Sequence, residues 1–152
     1  MKPTLILLTI VLPCLLIGCA ETQESARSLR SDARGAVEHG QKLWARVTYY
    51  GKHEDRFGSK VAQGGRAKEG VTIAASPKWH FGQPLRIPAL AGKVGNGNFT
   101  VQDRGTAVAR KKASHGQSEV FDVYLDGSRR VCANRMNLLS HEIGLYTEVI
   151  IP

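Results

Sequence analysis

Val120-Phe121-Asp122-Val123-Tyr124-Leu125 is the stretch on which the reading of this chain turns. Five of its six residues are β-branched, aromatic or aliphatic, the composition of a strand. Side chains alternate between the two faces of a strand, so Phe121, Val123 and Leu125 share one face. That face is the expected core. Asp122 shares the other face with Val120 and Tyr124. Asp is disfavoured in strands, and apolar neighbours would raise its pKa by desolvation. A carboxyl that keeps its proton near neutral pH is what a general acid needs. The competing reading is an ordinary aspartate on a solvated face, and the alternation alone leaves both open.

Working outward, five more runs have the same character: Trp44–Tyr50, Val71–Ala75, Pro84–Pro88, Asn98–Asp103 and Tyr146–Ile151. Turn residues punctuate them at Gly64-Gly65, Gly95-Asn96-Gly97 and Asp126-Gly127. One segment reads as a short helix, Asn134–Ser140, with Met136, Leu138 and Leu139. Six short strands in about a hundred residues predict an all-β domain, most simply a small closed barrel that leaves no sheet edge exposed. Asp103 ends the fourth strand in Val101-Gln102-Asp103-Arg104-Gly105, where it is either turn chemistry or a second functional carboxylate. Were its strand a neighbour of the Asp122 strand, the two would line one groove. Paired carboxylates are the signature of glycoside cleavage.

The chain has 152 residues and a formal charge of +8, from 21 Lys+Arg and 13 Asp+Glu. That length predicts one domain. The 42 % hydrophobic content excludes wholesale disorder, and three cysteines exclude a disulfide knot. Residues 1–18 read as a secretory leader: Lys2 precedes a short apolar stretch that is brief for a membrane span. Leu16-Ile17-Gly18-Cys19 resembles the bacterial lipobox, which makes Cys19 the expected lipidation site and the membrane a partner through that anchor. Ala20 after the cysteine resembles proteins sorted to an outer membrane, facing the periplasm. Residues 19–43 then form a polar linker with helix-compatible spacing of Ala26, Leu29, Ala33 and Val37. Its charges cancel, so the positive excess falls in residues 44–152. Cys132 is left alone there and reads as a small buried hydrophobe.

Residues 45–151 resemble the bacterial 3D domain, named for three aspartates and found as the catalytic barrel of the membrane-bound lytic transglycosylase A family. The matching segments are Val47-Thr-Tyr-Tyr-Gly51, Thr72-Ile-Ala-Ala-Ser-Pro77, Phe81-Gly82, Gln102-Asp-Arg-Gly-Thr-Ala-Val108 and Phe121-Asp-Val-Tyr124. The resemblance implies a double-psi β-barrel, shared with rare lipoprotein A and expansins, and cleavage of peptidoglycan glycan strands without a cofactor or metal. It makes Asp122 the catalytic acid and Asp103 its supporting aspartate. Tyr50, Ser76, Arg104 and Tyr124 become the substrate-binding candidates. The first of the three aspartates is replaced here by Ser76, which can exchange hydrogen bonds but carries no charge. That replacement fits the alternative, a non-catalytic, expansin-like peptidoglycan-binding lipoprotein.

Other patterns carry less. His141-Glu142 begins like a zinc-protease helix but lacks the second histidine. His53-Glu54-Asp55 reads as a solvated loop, so no metal is expected. Arg110-Lys111-Lys112 is the densest basic run, but a secretory leader removes the protein from nucleic acid. A basic domain outside the cytoplasm suits the carboxylates of a cell wall.

Overall fold

A computed structural model describes residues 40–54 and 57–152. The leader, Cys19 and nearly all of the expected linker lie outside the described residues. Among the described residues no helix is long and apolar enough to cross a membrane.

The domain is all-β in character, with six strands in one sheet: β1 (Gln41–Gly51), β2 (Thr72–Ala74), β3 (Pro84–Arg86), β4 (Asn98–Asp103), β5 (Val120–Leu125) and β6 (Tyr146–Ile151). They are ordered β1-β5-β2-β4-β3-β6, and β6 pairs back onto β1, so the ring of hydrogen-bonded neighbours closes. β1/β5 and β2/β4 are parallel, and the remaining pairs are antiparallel. Closure gives each strand two partners and leaves no long edge to aggregate.

Alternation places the core as expected. Phe121, Val123 and Leu125 are fully buried, together with Ala45 and Val47 of β1, Ile73 of β2, Phe99 and Val101 of β4 and Val149 of β6. The second face of β5 departs from the solvated alternative. Val120 and Tyr124 are also buried, leaving Asp122 as the one half-exposed residue of the strand. The cover comes from a four-residue helix, α1 (Thr106–Ala109), whose Val108 packs on Val120 and Ala74 in a small second core.

Several boundaries move. β1 begins at Gln41, inside the expected linker, because Gln41–Leu43 pair with Ile151–Val149 of β6. β3 stops at Arg86, and Pro88 starts a short 3₁₀ turn whose first position needs no amide donor. Helix α2 runs over Arg129–Ile143, twice the expected length, with Ser128 capping its first turn. Its core-facing stripe is Cys132, Met136, Leu139 and Ile143, spaced 4, 3 and 4 residues apart, whereas Leu138 is 56 % exposed. Cys132 is buried as predicted, and its thiol lies 3.6 Å from the Leu125 carbonyl.

The turn at Gly95-Asn96-Gly97 shows why glycine is required there. Gly95 has φ of +64°, and a Cβ on it would lie 2.8 Å from the Cα of Gly70. Gly92 has φ of +77° but open space around it. Gly92→Ala is therefore expected to cost only the left-handed strain, about 1 kcal/mol. Gly95→Ala adds a backbone collision and is expected to cost about 3 kcal/mol or more. Urea denaturation of the two variants measures the difference, and equal midpoints would contradict this packing.

Candidate active site

Four strands contribute one row of residues across the sheet. Thr48 of β1 stands opposite Asp122 of β5, and Asp122 opposite Ala74 of β2. Ala74 stands opposite Asp103 of β4. The two aspartate strands are thus not neighbours, as the groove argument required; β2 lies between them. Two strand spacings put the two Cα atoms roughly 10 Å apart. A register shift between Ile73 and Ala74 makes the row possible. Val101 faces the core opposite Ile73, and the irregularity sets Asp103, rather than Gln102, against Ala74. Bulges of this kind re-aim a side chain.

Ala74 matters because it is small. Tyr50 packs against the cluster formed by Ala74, Val108 and Val120, and its hydroxyl donates to Asp103 Oδ2 at 2.9 Å. Asp103 Oδ1 accepts two backbone amides, Ala62 at 2.9 Å and Arg104 at 2.8 Å. Ala62 comes from the small hairpin held by the Lys60–Arg66 bridge and turned at Gly64-Gly65. Three donors therefore converge on Asp103, which is 8 % exposed. Burial, followed by the charges of Asp103 and Asp122, pushes the Tyr50 hydroxyl far above its usual range, so it stays a donor.

Asp122 is held differently. Thr48 Oγ1 donates to its Oδ1 at 2.9 Å. Desolvation raises the carboxyl to about 7, and the charges of Glu54 and Asp103 add to the rise while Thr48 opposes it. The row therefore joins a carboxyl poised near neutrality to a carboxylate saturated with donors. Two carboxyls with such different hydrogen-bonding partners can take different roles at one site.

The other expected site residues divide. Ser76 is buried at 5 % exposure, and its hydroxyl lies 3.5 Å from Glu119 Oε2. Glu119 also takes Lys111 at 2.7 Å and Lys78 at 3.5 Å. Burial acts to raise the Glu119 carboxyl, but the two lysines prevail and hold it below the usual range. Nothing in the strand pattern had singled out Glu119, one residue before β5. Arg104 braces the site: Nη2 donates to the Trp79 carbonyl at 2.6 Å, and Nη1 to those of Asp103 and Ala75 at 3.0 and 3.4 Å. Its guanidinium sits 3.9 Å above the Phe81 ring.

Tyr124 requires correction as a substrate-binding residue. It is 2 % exposed and meets the Tyr50 ring edge-on at 5.4 Å, so it supports Tyr50 and offers no face to a ligand. Among the described residues no group of three His, Cys, Asp or Glu side chains is placed to hold a metal ion. The sequence matches no known family of proteins and no curated protein.

The raised Asp122 carboxyl makes a stability prediction with a definite sign. Between the unfolded pKa near 4 and the folded value of about 7, the unfolded chain has lost this proton and the native one has not. The contribution of Asp122 to stability is therefore complete below pH 4 and is lost as pH rises through 7. Asp122→Asn removes the titration. Relative to the parent, the variant is expected to gain on the order of 2 kcal/mol between pH 4 and pH 8, after discounting for solvent contact. Denaturant unfolding at both pH values checks this, and a constant difference would refute it.

Proposed function

We propose that this domain cleaves the glycan strands of peptidoglycan as a lytic transglycosylase, with Asp122 as the acid and then the base. The observation that carries the reading is the Asp122 carboxyl, lifted to about 7 in a row that also holds a donor-saturated Asp103. The closed ring of six strands, with its two parallel pairs, supports a double-psi β-barrel of the 3D-domain type. The lipobox at Cys19 would anchor the domain to a membrane of the cell envelope, most simply the outer membrane of a two-membrane cell.

In this mechanism protonated Asp122 donates to the oxygen linking N-acetylmuramic acid C1 to N-acetylglucosamine. The C1–O bond breaks and an oxocarbenium-like centre develops. The resulting carboxylate takes the proton of the muramoyl C6 hydroxyl. That oxygen bonds to C1, which closes a 1,6-anhydro ring and restores the carboxylic acid. One carboxyl suffices because the base step regenerates the acid. Tyr50 and Asp103 hold the floor of the site, and Asp103 helps keep the proton on Asp122 by its charge.

The test uses the domain without its lipid and purified sacculi. Mass spectrometry is expected to show anhydro-muropeptides, and kcat/KM is expected to fall as pH rises through about 7, where Asp122 loses its proton. Asp122→Asn is expected to lower turnover by about 100-fold or more. Ordinary reducing ends would indicate hydrolysis instead. Binding to sacculi with no released fragment would favour the expansin-like alternative.

A further inference from the structure

A second feature adjoins the carboxyl row. The loop before Phe81 and the start of α1 enclose an open groove lined by Pro77, Phe81, Arg104, Gly105, Thr106, Ala109 and Arg110. It is built onto the acid site. Its wall helix sends Val108 onto Ala74 and Val120, which flank Asp122 across and along the sheet. Arg104 directly follows Asp103 and lies over Phe81, itself 41 % exposed.

The charge here is one-sided. Arg104 and Arg110 line the groove; Lys78 and Lys111 each follow a lining residue in the chain, and their ammonium groups are turned onto Glu119. That acid is clasped by Lys78 and Lys111. Asp103 is committed to Tyr50 and two amides. Arg104 has the charge of Asp103 beside it, whereas the exposed Arg110 makes no ion pair with a described residue, so the groove keeps a positive excess. Arg104 cannot easily leave, because three carbonyls and an aromatic ring fix its guanidinium. Lys111 is held with φ of +49°, in the left-handed region, where its ammonium closes on Glu119. A fixed cation above an exposed ring suits a ligand with both a carboxylate and an apolar sugar face.

We propose that this groove binds a carboxylate borne by the muramoyl units of the glycan strand, and so sets which bond meets Asp122. The inference rests on the peptidoglycan reading and specifies its substrate. The carboxylate has two sources, the lactyl group of muramic acid and the stem peptide.

The test measures binding in the Asp122→Asn background, where the strand stays intact. Three soluble ligands are compared: stem-bearing glycan strands, strands stripped of their stems, and a neutral N-acetylglucosamine oligomer. Arg110→Glu is expected to weaken binding of stem-bearing strands about tenfold and to leave the neutral oligomer unchanged. Arg130→Glu on α2, the same charge change outside the groove, is expected to leave all three unchanged. Stripped strands follow the stem-bearing ones if the lactyl group is the source, and the neutral oligomer if the stem is. Higher salt should weaken only the ligands that Arg110→Glu weakens. Equal loss for Arg110→Glu and Arg130→Glu, or none for either, would overturn the groove assignment and leave the role of Asp122 standing. Cleavage that persists in Asp122→Asn would instead remove the catalytic reading.

Discussion

Desolvation of one carboxyl is the constraint on which the site depends. Asp122 lies mid-strand with buried neighbours on both sides along the chain and a methyl group opposite it on β2. Water that would stabilise its charge is displaced by Val120, Tyr124 and the second small core under Val108. A buried carboxylate is costly, so the group keeps its proton to about pH 7. A closed sheet helps, because each strand has partners on both edges, and of the β5 residues only Asp122 keeps part of its surface in solvent.

Ala74 connects the electrostatics to the packing. It is registered with both aspartates, and its small side chain leaves room for the Tyr50 ring to reach the β4 carboxylate. Asp103 then becomes a fixed negative charge, held by donors from β1, the Gly64-Gly65 hairpin and its own strand end. That charge acts back on Asp122 in the direction that favours its protonated form. Arg104 completes the arrangement by tying the loop of Ser76 and Trp79 to the end of β4. The aspartates, Tyr50 and the groove are thus parts of one mechanical unit.

Much of the fold was legible because alternation is a local signal. Phe121, Val123 and Leu125 face the core as their spacing requires, and β4, β5 and β6 have the limits their composition predicts. The misreadings have physical causes. Helix α2 looked short because its stripe runs through Cys132, which reads weakly as a hydrophobe, and because exposed Leu138 drew the pattern off its true face. Helix α1 has only four residues, too few for any periodicity to show. Glu119 carried no pattern at all: its partners Ser76, Lys78 and Lys111 come from two separate loops.

What the sequence determined by itself was the set of β-strands, the odd placement of Asp122 among apolar residues, the turn glycines and the concentration of positive charge in the strand-bearing region. These follow from side-chain period, residue chemistry and backbone freedom, all readable along the chain. Strand order, the register shift that turns Asp103 toward Ala74, the burial of Tyr124 and the donors on each carboxyl were decided only in three dimensions. They depend on which strands become neighbours, and neighbours in this sheet come from distant parts of the chain. An aspartate's role is set by the water and charges around it, and those are a property of the packed structure.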